Sequence, residues 1–461
     1  MTHPVPLLAL SLLLLSGCQS LSADDHQAAV AQAQQQLPAW QPQANSNQAV
    51  AAMTLTDLFS DPQLDALIAQ ARQANPSLQQ ALLTLQISYA QQQQSVADRL
   101  PSASLGVSRS DHEDNGSGAS AELNVSWELD LWRKLADADS AAKLSVASSE
   151  ASWQQAQDLL VANVIRGYLD YQQQAQLLQV EQQRLQLLQS NEAVILSRYR
   201  SGLGDLQALD NAKTSTASSQ ATLARYQQQL ANSGRALQQL LGSNQFSLGA
   251  EAEPAVAALA KPGFPAIKQP LLSLPQQDLS RRPDLQAAYL NTQAAYYQSK
   301  VAYKSMLPSI SLQAALSDSG RNLSDALFVS PAWSLLGQLT APLYQGGKLK
   351  AAAEIAELQS AQRYWQYREN LLAAVLEVDA ALDNERNLSK QLSHLTTAVQ
   401  SAQRSSANYQ QKYRQGLVDI VELLSVQQQP FDLASQQIQA QHNHLSNRID
   451  LGLALGLGAP Q

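Results

Sequence analysis

Two long stretches of the chain carry apolar residues at helical spacing with almost no helix breaker. The first, Lys134–Arg200, contains no proline and one glycine, and it predicts a helix of roughly 100 Å at 1.5 Å per residue. The second, at about 348–414, has the same character. Both are far longer than the usual helix of a globular domain. A coiled-coil-like seam recurs every seven residues in the first stretch, at Val164, Tyr171, Leu178 and Leu185.

Between about 103 and 131 the apolar spacing falls from 3.6 residues to two. Apolar and polar side chains alternate there, which predicts a β-hairpin with one apolar and one polar face. A strand of a membrane β-barrel has this pattern, and so has a half-buried hairpin on a soluble core. The alternation alone leaves both structures open. The apolar set is Leu123, Val125, Trp127, Leu129 and Leu131, and the polar set is Glu122, Asn124, Ser126, Glu128 and Asp130.

Each long helical stretch ends in a short motif that occurs twice. The motif Tyr199-Arg200-Ser201-Gly202-Leu203-Gly204-Asp205 shares Tyr, Arg, Gly, Leu and Asp with Tyr413-Arg414-Gln415-Gly416-Leu417-Val418-Asp419, at a constant offset of 214 residues. Glycine is the residue that most easily adopts the left-handed conformation that ends a helix, and aspartate caps the start of the next one. Both motifs therefore predict the tips of helical hairpins.

The two tips belong to a larger internal duplication. Arg282-Pro283-Asp284-Leu285 repeats Asn75-Pro76-Ser77-Leu78, and Met306-Leu307-Pro308-Ser309 repeats Arg99-Leu100-Pro101-Ser102, both at an offset of 207 residues. The repeated unit is a helix, a β-hairpin, a long helix, a tip and a return helix. We predict a first repeat at 57–242 with its β-hairpin at about 103–131, a linker or equatorial segment at 243–275, a second repeat at 276–456 with its β-hairpin at about 309–342, and a tail at 457–461.

The N-terminus predicts export and attachment of a lipid. Leu7 to Leu15 is an apolar run too short to span a bilayer, and it leads into Leu15-Ser16-Gly17-Cys18, which resembles the bacterial lipobox. We predict a signal peptide at 1–17, a covalent lipid on Cys18, and a lipidated, extended segment at 18–56. Cys18 is the only cysteine of the chain. By resemblance to such lipoproteins, Gln19 after the cysteine points to the outer membrane.

Composition and charge argue against several other classes of protein. Only 15% of the residues are charged and the net charge is −8, so no basic surface is available to neutralise nucleic acid. The chain has no phosphate loop and none of the common hydrolase motifs, and we expect neither an enzyme nor a cofactor other than the lipid. His442 and His444 are two positions apart on a predicted helix, so they point to different faces and predict no metal site.

The number of predicted strands constrains the oligomeric state. Each repeat contributes one β-hairpin, so one chain supplies four strands. Four strands in a bilayer would leave the backbone groups of both edges unpaired in hydrocarbon, and bacterial barrels have eight strands or more. If the strands cross the membrane, two or more chains must therefore share one barrel. This argument does not choose between two chains and three.

The order of these motifs resembles that of the TolC-type outer membrane factors, and within them the lipoprotein (NodT-like) subfamily that serves resistance–nodulation–division (RND) pumps. The paired tips, Leu-Pro-Ser before each β-hairpin, and Pro342-Leu343-Tyr344-Gln345-Gly346-Gly347-Lys348 carry the likeness. The resemblance implies an α+β membrane protein: a homotrimer with a shared 12-stranded outer-membrane β-barrel and a periplasmic α-helical coiled-coil barrel about 100 Å long. It also implies docking with a periplasmic adaptor (membrane fusion protein) and an inner-membrane RND-type transporter.

The resemblance also assigns roles to residues at the tips. In the family, acids just after the second tip line a closed entrance, which makes Glu422 and Asp419 gate candidates. Ser425 stands where many members have an aspartate. Asp419 has the alternative role of a helix N-cap, and Glu422 that of an ordinary solvated helix residue. The residues expected to dock the adaptor are Arg200, Gly202, Leu203, Asp205, Arg414, Gly416 and Leu417.

The function implied by the resemblance is that of an outer-membrane exit duct in a tripartite efflux system that exports drugs or other small toxic compounds. Two alternatives stay open. The same fold also serves protein export by type I secretion systems. A chain of another class, a lipid-anchored periplasmic coiled-coil scaffold, would use the β-hairpins as soluble structure.

Overall fold

A computed structural model of the chain describes residues 54–112, 116–242, 263–267, 281–322, 324–326 and 328–459. These residues all belong to one compact unit, Pro42–Gln461. The predicted signal peptide, Cys18, nearly all of the segment at 18–56 and most of the linker at 243–275 lie outside the described residues.

Seven α-helices occur in the described part of the chain, and they repeat in length as the sequence does. The two longest have 67 residues each, and each is followed after a short tip by a return helix of 35 residues. None of the helices in the described ranges is both long and apolar enough to cross a bilayer. The helices are α1 (Pro62–Ala74), α2 (Pro76–Ala97), α3 (Lys134–Arg200), α4 (Leu206–Leu240), α5 (Pro283–Lys304), α6 (Lys348–Arg414) and α7 (Ile420–Ala454).

Six strands in the same residues form two antiparallel sheets. A small sheet pairs β1 (Phe59–Ser60) with β4 (Ala266–Ile267). The larger sheet has the order β2-β3-β5-β6, so hairpins from the two repeats lie side by side and β2 and β6 form its edges. Its strands are β2 (Ser102–His112), β3 (Gly116–Leu129), β5 (Ser309–Gly320) and β6 (Ala332–Thr340).

The strands extend further than the alternation of apolar residues. The polar residues at 111–118 and 318–330 predict loops between the strands, but Asp111 pairs with Ser117 and Asp318 pairs with Ala121 within the sheet. The backbone ladder is independent of side-chain polarity, and polar residues continue it where the hairpin stands clear of an apolar surface. The polar sequence therefore predicted the loops too long.

The apolar face of the larger sheet has no core behind it. Leu105, Leu123 and Leu316 lie in register across three strands, and Leu312 pairs with Trp127. On the edge strand, Trp333 is 79% exposed and its apolar neighbours at alternate positions are exposed as well. A soluble hairpin would cover this face, whereas a barrel strand turns it to lipid. The opposite face is lined mainly by serine, together with Asn124, two glutamines and the acids Glu122 and Glu128.

The main hydrophobic core lies where α1, α3, α4 and α7 meet the first and last described residues. Leu55, Ile165, Leu237 and Ile449 are among its fully buried members. The backbone nitrogen of Leu55 donates to the carbonyl oxygen of Gly458 at 3.0 Å, so both ends of the described chain are fixed to this core.

Two close backbone approaches stabilise the same region. Gly242 ends α4 with a φ of 67°, and a Cβ there would lie 2.2 Å from the carbonyl oxygen of Ala74, so no other residue fits. Near the C-terminus, the buried Asp158 carboxylate accepts a hydrogen bond from the backbone nitrogen of Ala459 at 2.7 Å. Burial raises the pKa of Asp158, and the hydrogen bonds from Ala459 and Gln154 oppose that shift only in part.

Candidate functional site at the hairpin ends

The two tips have the same backbone geometry. Gly202 and Gly416 are in the left-handed region, with φ values of 72° and 73°. The backbone nitrogen of Leu203 donates to the carbonyl oxygen of Arg198 at 2.9 Å, and the corresponding bond of the second tip measures 3.0 Å. These bonds close a Schellman motif, which satisfies the last carbonyl groups of each long helix. Each tip is therefore a rigid turn.

The aspartate of each tip caps the return helix. Asp205 accepts a hydrogen bond from the backbone nitrogen of Ala208 at 2.6 Å, and Asp419 accepts one from that of Glu422 at 2.7 Å. The carboxylate of Asp419 therefore acts as the N-cap of α7, which was the alternative to a role as a gate. The Glu422 side chain is exposed one helical turn further on. Of the two gate candidates, Glu422 has the carboxylate less committed to local structure.

All seven residues expected to dock an adaptor are exposed. Leu203 is 71% exposed and Leu417 is 68% exposed, although both are apolar. Added atoms would meet nothing within 4 Å of either left-handed glycine. The tips therefore present small and apolar groups with open space around them.

The structure brings the two tips to the same end of the helices. The Arg198 guanidinium donates to the hydroxyl of Tyr413 at 3.1 Å, which links the end of α3 to the end of α6. A small hydrophobic cluster lies just behind this bond. It consists of Ile195, Leu209 and Ala212, with Leu196, Ala208, Ile420 and Leu424 packed against it.

A groove of about 630 Å³ lies beside this cluster, between α4 and α7. Its apolar wall includes Ala208, Ile420 and Leu424, and its polar wall includes Asn211 and Ser425. The position that departs from the family pattern, Ser425, therefore lies in the groove between the two hairpins. Ser425 places a hydroxyl in the groove, and the acid that lines the groove is Asp432.

A row of polar contacts joins the two hairpins above the tips, and the sequence analysis did not identify it. Along α3 the contacting residues are Asp170, Arg184, Asn191 and Arg198, and the last three are seven residues apart. Asp170 and Arg184 directly precede Tyr171 and Leu185 of the apolar seam, and Asn191 and Arg198 continue the same seven-residue spacing, which could have revealed them. Their partners are His442 at 2.6 Å from Asp170, Asp432 at 2.9 Å and Gln428 at 2.8 Å from Arg184, Gln427 at 3.0 Å from Asn191, and Tyr413.

We call this row of contacts between α3 and α7 with the end of α6 the hairpin seam. Most of its members are at least partly exposed, so each contact contributes little by itself. Pro430 lies inside α7 between Gln428 and Asp432, the two partners of Arg184. A proline removes one helical hydrogen bond and weakens the helix locally. The hairpin seam therefore holds α7 to α3 on both sides of Pro430.

The two histidines of α7 contact different helices, as their spacing predicts. In the part of the chain that the structure describes, no group of three or more His, Cys, Asp or Glu side chains is placed to hold a metal ion.

A sheet with an exposed apolar face, joined to paired helical hairpins of this length, defines the class of outer-membrane ducts. The chain belongs to the outer membrane efflux protein family, whose model matches residues 67–243 and 274–457. It is 28% identical to the cation efflux system protein CusC of Escherichia coli O6:H1 (strain CFT073), covering 87% of this chain and 88% of that protein. It is also 28% identical to the probable outer membrane lipoprotein SilC of Salmonella typhimurium, with 97% of both chains covered.

Solved structures have the same fold. A crystal structure of CusC superposes with a TM-score of 0.75 at 26% identity, covering 92% of this chain and all of that one. The Campylobacter jejuni CmeC outer membrane channel superposes with a TM-score of 0.78, covering 92% and 95%, and at 19% identity it supports the fold alone.

These likenesses confirm three of the expectations. The protein is an outer-membrane efflux channel, it has the α+β fold with four barrel-type strands per chain, and it is a channel protein and not an enzyme. The gate, the docking residues and the domain boundaries remain predictions.

Proposed function

We propose that this channel is the exit duct of a tripartite efflux system, in which a periplasmic adaptor and an inner-membrane RND-type transporter deliver drugs or other small toxic compounds to it. The observation that carries the proposal is the pairing of a lipid-compatible sheet at one end of the long helices with two exposed tips at the other. Among similar proteins, OpmQ of Pseudomonas putida KT2440 is described as a pyoverdine export outer membrane protein and ArpC of Pseudomonas putida as part of an antibiotic efflux pump.

The working unit in this proposal is a homotrimer. The helices next to the sheet pack in the order α2-α3-α5-α6, the same order as the strands, so α2 and α6 are edges just as β2 and β6 are. Both edge helices expose apolar side chains. On α2 these are Leu83 and Ile87, and on α6 they are Ile355, Leu358, Trp365, Leu372 and Leu376.

The two edges differ from each other, so copies would join head to tail, and a head-to-tail contact forms a ring when the rotation between copies closes on itself. Three copies give twelve strands, an even number within the range of bacterial barrels. The ring also pairs the β6 edge of one copy with the β2 edge of the next, which removes unpaired backbone groups from the hydrocarbon.

A lipid on Cys18 fits the position of the first described residues. Thr54 lies beside Gly458 at the level of Asp158, roughly 40 Å along α3 from the end of the sheet at 1.5 Å per residue. The 36 residues from Cys18 to Thr54 can span about 120 Å when extended. Cys18 can therefore reach the membrane surface, where a single acyl anchor adds to the hold of the barrel.

The exposed tips are the proposed docking surface for the adaptor. Leu203 and Leu417 offer apolar contacts, and Arg200 and Arg414 offer charges for acceptor groups on the partner. The groove between α4 and α7 lies next to the tips, where the end of a helical hairpin of the adaptor could enter it.

A bilayer measurement on the purified, full-length protein tests the duct against the scaffold alternative. A duct should insert as a heat-sensitive oligomer and conduct ions, whereas a coiled-coil scaffold should do neither. Export of a small dye by cells that also contain the adaptor and transporter would favour efflux, and export of a protein substrate instead would favour the type I secretion alternative.

Glu422 is the proposed gate residue, and its charge can be removed without changing its shape. Copies of Glu422 around a symmetry axis would attract cations and repel anions at the mouth. We expect Glu422→Gln to lower the ratio of cation to anion permeability about two- to fivefold and to raise anion conductance. The measurement is the reversal potential in a salt gradient. Asp210→Asn removes an exposed acid near the first tip and is the matched control. An unchanged ratio in Glu422→Gln would remove the gate assignment.

A further inference from the structure

The helix α7 carries two histidines whose rings reach opposite neighbours. The Nε2 atom of His442 lies 2.6 Å from the carboxylate of Asp170 on α3. The Nε2 atom of His444 lies 2.9 Å from the carboxylate of Glu385 on α6. The contact of His442 therefore joins the two hairpins, whereas that of His444 joins the two helices of the second hairpin.

The contact between α6 and α7 at His444 does not depend on the charge of that histidine. The Arg448 guanidinium donates to the same Glu385 carboxylate at 2.8 Å, and the Asn447 amide donates to the carbonyl oxygen of Ala381 at 3.0 Å. Burial by itself raises the pKa of Glu385, but the hydrogen bond from His444 and the charge of Arg448 outweigh it, so this pKa lies below its usual range. Glu385 therefore stays ionised in mildly acidic solution, and Arg448 holds it whatever the charge of His444.

The surroundings of His442 leave its contact dependent on its own charge. Asp170 is the carboxylate that faces it from α3, and the ring of Phe264 lies 6.5 Å from the imidazole, centre to centre. Outside the hairpin seam, another charged pair between the same two helices joins Arg166 of α3 to Asp450 of α7, so that cation already has a partner. No arginine or lysine replaces His442 as the partner of Asp170 among the described contacts.

We infer that His442 makes the hairpin seam sensitive to pH, so that acidification strengthens the contact between the two hairpins. The inference rests on the proposed function only in its consequence for the mouth of the duct. The juxtaposition itself, an imidazole on one hairpin against a carboxylate on the other, is a feature of the structure.

The direction follows from the charges. Histidine gains its proton between pH 8 and pH 5. The protonated ring donates a charge-assisted hydrogen bond to Asp170, which is stronger than the bond from the neutral ring. Mild acid therefore holds α7 to α3, and neutral or alkaline pH loosens it.

Hydrogen–deuterium exchange on the full-length oligomer tests this without reference to transport. After correction for the intrinsic effect of pH, we expect the backbone amides near 166–174 and 438–446 to be about two- to fivefold better protected at pH 5.5 than at pH 8, as for one partly exposed ion pair. His442→Gln keeps a donor but no charge, and it should abolish the difference. His442→Lys keeps the charge at both values and should give the higher protection at both.

Two further histidine variants serve as controls. His394→Gln changes an exposed histidine of α6, and His444→Gln changes the one that acts within the second hairpin; both should keep the pH difference at the seam. If the wild type shows no difference, or if His442→Gln retains it, the inference is wrong. If the difference follows His442 but the oligomer never conducts ions at either pH, the proposed duct function fails while the pH-sensitive contact stands.

Discussion

Replacing Leu372 by aspartate is expected to leave the protein monomeric. Leu372 is 59% exposed on the edge helix α6, within the apolar row that runs from Ile355 to Leu376. In a ring of copies this row is buried against the next chain, and a carboxylate buried there without a partner costs several kcal/mol at each interface. The measurement is the mass of the detergent-solubilised protein by light scattering, compared with that of the wild type.

The design of this variant separates assembly from folding. Leu372 is already exposed in the single chain, so the substitution removes no contact of the core and helical circular dichroism should stay unchanged. Leu203→Asp places the same charge on an equally exposed leucine at the tip, away from the edge helices, and should remain oligomeric. A wild-type mass for Leu372→Asp would show that α6 is not the edge at which copies meet.

The sequence predicts the helices and strands well because the period of the apolar residues determines which of the two each segment forms. The alternation from Glu122 to Leu131 specifies β3 almost to its last residue, and the absence of breakers specifies the bounds of α3. The offset of 214 residues also predicts that both tips share one turn, since glycine and aspartate stand at the positions where that turn needs them. Local chemistry is sufficient for these features.

Contacts between the repeats could not be predicted in the same way. The pairing of β3 with β5 joins residues almost 200 positions apart, and no local pattern specifies it. The hairpin seam depends on which face of α7 turns to α3, and nothing in the sequence near Arg184 indicates that its partner is Asp432, 248 residues further on. Asp419 is different, because the local sequence already indicated that it could cap α7. The structure shows the N-cap geometry.

The proposed role of Glu422 as a gate depends on contacts between chains. Its exposed carboxylate becomes part of a ring of charges only in an oligomer, so the local sequence does not specify that ring. The spacing of the seam contacts is more informative, since three of them follow one seven-residue period along α3 and end at the tip through Arg198 and Tyr413. A movement that opens the mouth by separating the hairpins must break these contacts.

Replacing Gly416 by tryptophan is expected to reduce efflux at least tenfold while the oligomer stays in the outer membrane. The tip is rigid, Gly416 is in the left-handed region, and nothing lies within 4 Å of a Cβ added there, so an indole would project into the space that the docking proposal gives to the adaptor. The measurement is the efflux rate of a dye in cells with the adaptor and transporter, together with the amount of oligomer in the outer-membrane fraction.

A smaller substitution at the same position distinguishes blocked docking from a strained turn. Gly416→Ala has the same unfavourable backbone conformation, at a cost of about 1–2 kcal/mol, but it adds only a methyl group. If strain caused the loss, alanine and tryptophan would reduce efflux alike; if docking is blocked, alanine should retain most of it. Gly202→Trp makes the equivalent change at the first tip, where the turn is the same but the return helix has Ala208 in place of Glu422. A loss in both tryptophan variants would mean that the adaptor contacts both tips, and a loss in neither would exclude the tips as its docking surface.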